Sequence, residues 1–280
     1  MNETIIVGVT AAPVTARAVE WAVARALDRR QRIELLCVVG GAVGAVGEAD
    51  VLAEALATAR AVLREHEAVV AAAGVPVSSR VETGNPVAHL IEAGEKASLL
   101  VIGSDYRGPE GGRARGAHGI RITAGARCPV VVVPDIDRAG CRGVVVGVDG
   151  SEVSERALQF AAAEADRFRE PLIAVSVWTP LQAPRGDLAV YPELYLTNMA
   201  AATEEVLALA VAGIAADYPD LEVVRRIERG YPSQVLIDLA ETARLCVVGT
   251  HGRGAIARFL LGSISQEVLT RLPAVTAVVR

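Results

Sequence analysis

The feature that most constrains the fold of this chain is an internal repeat that runs through its whole length. Three pairs of segments are alike: 5–10 and 144–149 (IIVGVT and VVVGVD), 81–86 and 227–232 (VETGNP and IERGYP), and 99–103 and 245–249 (LLVIG and LCVVG). The first pair is 139 residues apart and the other two pairs are 146 apart. The second copy is therefore longer, and the Pro-bearing stretch 179–198 is the natural place for its extra residues. The repeat predicts two domains, 1–134 and 141–280, joined by a linker at 134–140.

Each copy alternates short apolar runs with long Ala-rich segments. The runs are continuous, as is typical of parallel strands covered on both faces. We predict strands near 4–9, 33–39, 77–81, 98–102, 130–133, 143–148, 171–177, 222–227, 244–248 and 275–279. We predict long helices near 14–29, 49–73, 153–168 and 199–216, and Pro86 and Pro232 suit the first turn of further helices. The pattern indicates an α/β fold in which each copy forms a doubly wound, five-stranded parallel sheet.

The composition predicts that the protein has aliphatic cores and resides in a reducing compartment. Apolar residues make up 52% of the chain and aromatic residues 4%, which excludes a disordered chain. Mean hydropathy is +0.37, but we find no apolar run near the roughly 18 residues of a membrane span. No basic stretch precedes the N-terminal apolar run, so we expect no secretory signal and a cytoplasmic protein. The cysteines lack C-x-x-C spacing, and Cys37 and Cys246 are interpreted as core residues.

The charged residues exclude several functions. The chain has 28 Lys and Arg against 33 Asp and Glu, a net charge of −5, which argues against binding a nucleic-acid backbone. Lys96 is its only lysine, and a P-loop NTPase needs the lysine of G-x-x-x-x-G-K-[ST], so the second copy is not a P-loop domain. The four histidines are scattered along the chain, and we expect no zinc site.

The stretch that follows the run 245–248 is the motif that indicates chemistry. Gly249 ends the run, Gly252 comes three residues later, and after nine more residues Gly262 and Ser263 begin a predicted helix. Glycines at a strand end let the backbone turn sharply and approach a ligand. A helix start offers free N–H groups to an anion. With Arg253 adding positive charge, the motif predicts a polyphosphate cradle.

The pattern Gly249-x-x-Gly252-x9-Gly262-Ser263 resembles the ATP-binding signature of universal stress proteins. An aspartate at the end of the first strand is the second mark of that family, and Asp149 in VVVGVDGS matches it. The resemblance covers the whole chain as a tandem pair of the kind familiar in actinobacteria. It implies a Rossmann-type fold with strand order 3-2-1-4-5 in each copy. It also implies a ligand crevice between strands 1 and 4, outside their carboxyl ends.

The resemblance further implies a role for each motif residue. Asp149 would hydrogen-bond the ribose or adenine side, and backbone groups of Val177 would meet adenine. The other residues would line the ribose and phosphates (Gly249, His251, Gly252, Arg253) or hold the phosphates by N–H and hydroxyl groups (Gly262, Ser263, Ile264, Ser265). ATP, with or without Mg²⁺, is the implied ligand. Pairing of the fifth strands across the copies would make an internal pseudo-dimer, and whole chains would form a homodimer.

These residues also have plain structural interpretations. A glycine at a strand end is often only a turn, and a loop histidine such as His251 is often a solvated side chain. Asp149 could cap the following helix, although Ser151 or Ser154 is available for that role.

The first copy departs from the motif at its functional positions. Thr10 stands where Asp149 stands in the second copy, Tyr106 replaces the second glycine, and Gly116-Ala117 replaces Gly262-Ser263. We interpret this copy as a degenerate site kept for architecture. The alternative is a weaker anion site served by the arginines of 107–115. The glycine run 41–47 does not match G-x-G-x-x-G and is interpreted as a flexible loop.

The sequence favours an ATP-binding protein of stress response or signalling, without efficient turnover. Two alternatives remain open. One is a slow ATPase in which Asp149 binds metal or water and His251 lies near the phosphates. The other is a scaffold that dimerises through its sheets and binds a different small ligand. The related ATP pyrophosphatases carry a Ser-Gly-Gly-x-Asp-Ser loop, which 149–152 does not supply.

Overall fold

The structure is a computed structural model in which residues 3–40, 48–105, 117–180, 193–252 and 261–280 are described. The chain divides into two compact units, Met1–Asp137 and Arg138–Arg280. The boundary falls inside the predicted linker 134–140. The predicted loop 41–47, Tyr106, the arginine-rich loop 107–115, Gly116 and Arg253 lie outside the described residues.

The first unit alternates strands and helices along the chain. Its elements are β1 (Thr4–Val9), α1 (Val14–Arg29), β2 (Arg32–Val39), α2 (Glu48–Ala72), β3 (Val77–Thr83), α3 (Pro86–Gly94), β4 (Leu99–Ser104), α4 (Ala117–Gly125) and β5 (Val130–Pro134).

The second unit repeats this sequence of elements, with one additional short helix. Its elements are β6 (Val144–Gly147), α5 (Glu152–Phe168), β7 (Leu172–Trp178), α6 (Glu193–Ala212), α7 (Ile214–Asp217), β8 (Val223–Arg229), α8 (Pro232–Ala240), β9 (Leu245–Gly249), α9 (Ser263–Arg271) and β10 (Val275–Val279). Helix α6 begins at Glu193, earlier than the predicted start near 199.

The strand order in each unit is the predicted 3-2-1-4-5. It is β3-β2-β1-β4-β5 in the first unit and β8-β7-β6-β9-β10 in the second, with parallel pairing inside each unit. The central strands are mostly buried. Val145 of β6 lies opposite Ile173 of β7 and Cys246 of β9. The connection that follows β6 runs toward β7, and the connection that follows β9 runs the opposite way, toward β10. A crevice therefore opens at the carboxyl ends of β6 and β9.

Small side chains let the helices pack closely against the sheet. On α5 the buried face is a stripe of alanines that includes Ala157, Ala161 and Ala165, each with no exposed surface. Few aromatic residues are needed in such a core, in agreement with the composition. Pro86 and Pro232 are the first residues of α3 and α8, which confirms the predicted helix starts.

The cysteines predicted to be core residues are buried. Cys37 is 8% exposed and Cys246 is fully buried. Burial raises the pKa of the Cys246 thiol to about 12. That thiol therefore stays protonated and unreactive near neutral pH.

A buried carboxylate braces the start of the second unit. Glu170 follows α5 and is 6% exposed. One of its carboxylate oxygens accepts the N–H of Gly143 at 2.6 Å, and the other accepts Nη2 of Arg244 at 2.7 Å. Burial alone would raise the pKa of Glu170, but the bonds from Arg244 and Gly143 outweigh burial, and the pKa lies below its ordinary value.

One helical stretch has the length and mean hydropathy of a candidate membrane span, although the sequence contains no apolar run near 18 residues. Residues Glu193–Asp217 include an 18-residue window with a mean hydropathy of 1.6, of which 11% is buried. Glu204 and Glu205 interrupt the apolar run. The mean hydropathy of the window is nevertheless high enough for a membrane-spanning helix. By length and composition alone it is long and apolar enough to cross a membrane, which is weak grounds for assigning a membrane role.

Candidate functional site

The carboxyl end of β6 is a tight turn organised around Asp149. Gly150 has a φ of +75°, a left-handed conformation that glycine adopts at little cost. The Oδ1 atom of Asp149 accepts the N–H of Ser151 at 2.9 Å and the hydroxyl of Ser151 at 2.6 Å. Ser151 also caps α5, because its Oγ accepts the N–H of Ser154 at 3.2 Å. Asp149 is therefore not the helix cap, and its carboxylate is fixed beside the end of the central strand.

Gly252 lies directly against that carboxylate. A Cβ atom added to Gly252 would lie 2.5 Å from Oδ2 of Asp149, a distance that real Cβ contacts do not show. Only glycine fits while Asp149 keeps its position. The fold therefore brings together the two motif residues that follow strands β6 and β9.

Gly249 has a packing role. A Cβ atom there would lie 2.8 Å from Cγ1 of Val153, in the first turn of α5, and 3.3 Å from the carbonyl oxygen of His251. The absence of a side chain lets α5 approach the end of β9. These contacts agree with the structural interpretation of Gly249, in which the glycine serves a close backbone turn.

The imidazole of His251 lies just after β9 and is partly buried. Its Nδ1 lies 3.1 Å from Oγ1 of Thr250, and Thr250 is anchored by its own N–H, which donates to the carbonyl of Val279 at 2.7 Å. The Nε2 atom is buried and has no hydrogen-bond partner among the described residues. An unpaired buried nitrogen costs about 1–3 kcal/mol, so it is a feature that a bound ligand would relieve.

No side chain among the described residues caps the N-terminus of α9. Its N-cap, Gly262, has no side chain to accept the first N–H groups. The carbonyl of Gly262 already accepts the N–H of Gln266 at 2.9 Å, as the first bond inside the helix. The N–H groups of Ser263, Ile264 and Ser265 have no acceptor within the helix. They form the positive end of the helix dipole.

Ser265 uses its hydroxyl within the protein. Ser265 was predicted to contribute N–H and hydroxyl groups to phosphate binding. Its Oγ donates to the carbonyl of Gly249 at 2.5 Å, and the residue is 4% exposed. The hydroxyl therefore ties α9 to the end of β9. Its N–H remains in the first turn of the helix.

These groups line one cleft, called the second-unit cleft below, at the carboxyl edge of the sheet. The predicted site residues that line it are Asp149, Val177, Gly249, His251, Gly252, Ile264 and Ser265. Gly262 and Ser263 begin α9 beside it without being part of its lining. Arg253 cannot be placed, since it lies outside the described residues.

The cleft also has apolar walls that the motif did not indicate. Val175 and Val248 come from the neighbouring strands, and Pro232 and Leu236 come from α8. In the sequence these residues look like ordinary core positions. Only Pro232 gave a signal, because it closes one of the repeated segments.

The first unit replaces the aspartate turn with a threonine turn. Oγ1 of Thr10 accepts the N–H of Ala12 at 3.3 Å and lies 3.1 Å from Oγ1 of Thr15. The hydroxyl of Thr15 donates to the carbonyl of Thr10 at 2.9 Å. Side-chain hydrogen bonds therefore stabilise the turn after β1, as they stabilise the turn after β6. Thr10, unlike Asp149, carries no negative charge.

Comparisons with known proteins agree with this architecture. A sequence model of the universal stress protein family matches residues 1–134 and 141–280. A universal stress protein of Mycobacterium tuberculosis is 35% identical over 228 residues, or 78% of this chain and 75% of the relative. One from Mycolicibacterium smegmatis is 32% identical over 292 residues, or 99% of this chain and 96% of the relative. The chain therefore belongs to the universal stress protein family.

A solved structure shows the same fold. The crystal structure of a universal stress protein from Archaeoglobus fulgidus matches with a TM-score of 0.72 and 21% identity. The match covers 98% of this chain and 97% of the other.

Proposed function

We propose that the second unit binds ATP in the second-unit cleft, and that the protein acts in stress response or signalling without efficient turnover. One observation carries the proposal: three groups converge at one crevice, namely the Asp149 carboxylate, the Nε2 of His251 and the start of α9, and among the described residues the last two have no side-chain partner. A few polar groups set on apolar walls at a topological switch point are the usual form of a nucleotide site.

The chemistry of the cleft assigns a part of ATP to each region. The walls formed by Val175, Val177 and Leu236 suit the planar, weakly polar adenine. The Asp149 carboxylate is an acceptor suited to ribose hydroxyls. The start of α9 supplies N–H donors and a positive dipole end for the phosphates. His251 Nε2, when it carries the proton, supplies one further donor to a ligand oxygen.

The same groups support binding more than catalysis. Rapid phosphoryl transfer needs a positioned water, a base and charge stabilisation that strengthens in the transition state. The carboxylate of Asp149 is held by Ser151 and faces the nucleoside end of the proposed ligand. The only lysine of the chain, Lys96, belongs to the other unit. Backbone N–H groups hold ground-state phosphates and the transition state about equally, which gives affinity without rate.

Mg²⁺ would enter with the nucleotide. Among the described residues no cluster of three His, Cys, Asp or Glu side chains is arranged to hold a metal ion. Mg²⁺ is commonly held by phosphate oxygens and water with one or two carboxylates. Mg²⁺ would therefore be bound through the ATP phosphates, without a set of protein side chains that surrounds it.

Calorimetric titration with ATP tests the proposal. We expect one ATP per chain, and about tenfold weaker binding by His251→Ala, equivalent to about 1.4 kcal/mol. His66→Ala, on α2 of the first unit, is the matched control and should bind ATP as the wild type does. Two sites per chain, no binding of any adenine nucleotide, or an unchanged affinity in His251→Ala would contradict the proposal.

We also propose that the protein is cytoplasmic and forms a homodimer. Its four cysteines are free thiols, as expected in a reducing compartment. Leu194 and Leu209 on α6 are each 70% exposed, and a second copy would cover such apolar surface. Sedimentation analysis should show a dimer that Leu209→Glu weakens. A monomer at high protein concentration would overturn the dimer.

A further inference from the structure

The first unit holds a cavity built from the same positions as the second-unit cleft. Each residue lining the second-unit cleft, other than Gly252, has its repeat counterpart among the residues lining this first-unit cavity. The counterpart of Gly252 is Tyr106, outside the described residues. The first-unit cavity has a volume of about 270 Å³, and the second-unit cleft has a volume of about 100 Å³. A site that had merely decayed would be expected to fill in, and this one is the larger of the two.

The apolar half of the cavity is preserved. Leu36, Val38, Leu90 and Ile102 stand where Val175, Val177, Leu236 and Val248 stand in the second unit. Two of these positions keep the same residue type, and the other two exchange one aliphatic side chain for another. The walls that suit a planar base in the second unit are therefore present in the first.

The polar half of the first-unit cavity differs in side-chain chemistry from that of the second-unit cleft at four positions, one of which places His118 where the second unit has Ile264. Asp105 occupies the position of His251, so a carboxylate stands where the second unit presents an imidazole. Gly119 replaces Ser265, and Thr10 replaces Asp149, which removes the charge at the strand end. The negative charge has moved from the nucleoside side of the cavity to the phosphate side. His118, on α4, also lines the cavity.

This arrangement of charge favours ligands without a phosphate group over ligands that carry one. A carboxylate at the position of Asp105 repels a phosphate group in a cavity partly shielded from water. The same carboxylate accepts a hydrogen bond from a hydroxyl group, and such a charge-assisted bond is strong. A nucleoside carries a hydroxyl at the carbon where a nucleotide carries its phosphate.

We infer that the first unit is a second ligand site, specific for a phosphate-free nucleoside. The base packs between the aliphatic walls, and the 5′-hydroxyl donates to Asp105. The inference rests on the proposed function of the second unit only for the orientation of the ligand. One chain would then hold a nucleotide in one unit and a nucleoside in the other.

The test isolates the first unit by blocking the second. Gly252→Glu is used as the background, and titration with ATP verifies the block. Calorimetry with adenosine, AMP and ATP should then show one adenosine per chain, bound at least tenfold more tightly than AMP, with no binding of ATP. The wild-type chain saturated with ATP should bind adenosine with the same affinity, which repeats the measurement without the mutation.

Two variants examine the cavity itself. A Cβ at Gly119 meets only Cδ1 of Ile102, at 3.8 Å, so Gly119→Leu should fold and fill the cavity, abolishing adenosine binding. Gly213→Leu, at an exposed position with nothing within 4 Å, is the matched control and should bind normally. Asp105→Asn should raise the affinity for AMP about tenfold, with Asp28→Asn on α1 as its control.

The outcomes separate this inference from the proposed function. No adenosine binding in either background, or equal binding of adenosine and AMP, would overturn the nucleoside site. An unchanged AMP affinity in Asp105→Asn would overturn the role of the carboxylate, even if Gly119→Leu fails to fold. Failure of the wild-type chain to bind ATP would instead overturn the proposed function and leave the adenosine measurement standing.

Discussion

Substitution of Gly252 gives a graded test of the second-unit cleft. A Cβ at this position would lie 2.5 Å from Oδ2 of Asp149. To restore an ordinary contact, Gly252→Ala must move that oxygen by about 1 Å. The shift strains the two hydrogen bonds that hold Oδ1 to Ser151. Loss of about one such bond costs about 1–1.5 kcal/mol, so ATP affinity should fall about tenfold.

Gly252→Glu adds a charge to the same steric change. A carboxylate about 4 Å from a phosphate charge costs about 4 kcal/mol at an effective dielectric constant of 20. We therefore expect ATP affinity to fall by more than about a hundredfold, or about 2.7 kcal/mol. Gln has nearly the shape of Glu without the charge. The ATP affinity of Gly252→Gln should therefore lie between the affinities of the alanine and glutamate variants.

Calorimetry with ATP on these three variants measures the series. Gly213→Glu, at an exposed position in the second unit, controls for the added charge. Equal losses for Gln and Glu would refute the electrostatic part of the reasoning. An affinity for Gly252→Glu within about threefold of the wild type, roughly 0.7 kcal/mol, would show that the phosphates lie elsewhere.

Further predictions concern stability and turnover. Glu170→Gln should destabilise the chain by about 1–2 kcal/mol at pH 7 in urea unfolding, because it weakens the bond from Arg244. The folded-state pKa of Glu170 is depressed, so this difference should persist above about pH 4 and shrink as pH falls further. A difference that grows toward acid would contradict this. Ser265→Ala should lower the free energy of unfolding by about 1 kcal/mol and leave ATP binding unchanged. Loss of ATP binding would show that the Ser265 hydroxyl binds a phosphate. Phosphate or pyrophosphate release with saturating Mg²⁺ should stay far below about 1 s⁻¹; a faster rate that disappears in Asp149→Ala would make the protein an ATPase.

The sequence predicted most of the fold because the signals were local and repeated. Continuous runs of β-branched residues, repeated with similar spacing in both copies, predicted the strands. Pro86 and Pro232 marked helix starts correctly. The start of α6 was misplaced because its first turn, 193–198, has an ELYLTN sequence rather than the Ala-rich pattern. The hydropathy of 193–217 was missed for a related reason, since two glutamates break a run that still averages as apolar.

The site was predicted less completely, for physical reasons. Glycine spacing identified Gly252, but its contact with Asp149 depends on how two strands distant in sequence end side by side. The hydroxyl of Ser265 bonds to the carbonyl of Gly249 for the same reason, as tertiary position decides its partner. Leu236 was not predicted because an aliphatic cleft wall and a core residue look identical in sequence.

A crystal structure of the chain with ATP and Mg²⁺ would show directly whether the second-unit cleft binds the nucleotide. We expect one nucleotide per chain, with adenine between Val177 and Leu236, ribose beside Asp149, and phosphates at the start of α9. His251 Nε2 should then lie within hydrogen-bond distance of the ligand. Nucleotide bound in the first-unit cavity, or in neither unit at saturating concentration, would contradict ATP binding by the second unit.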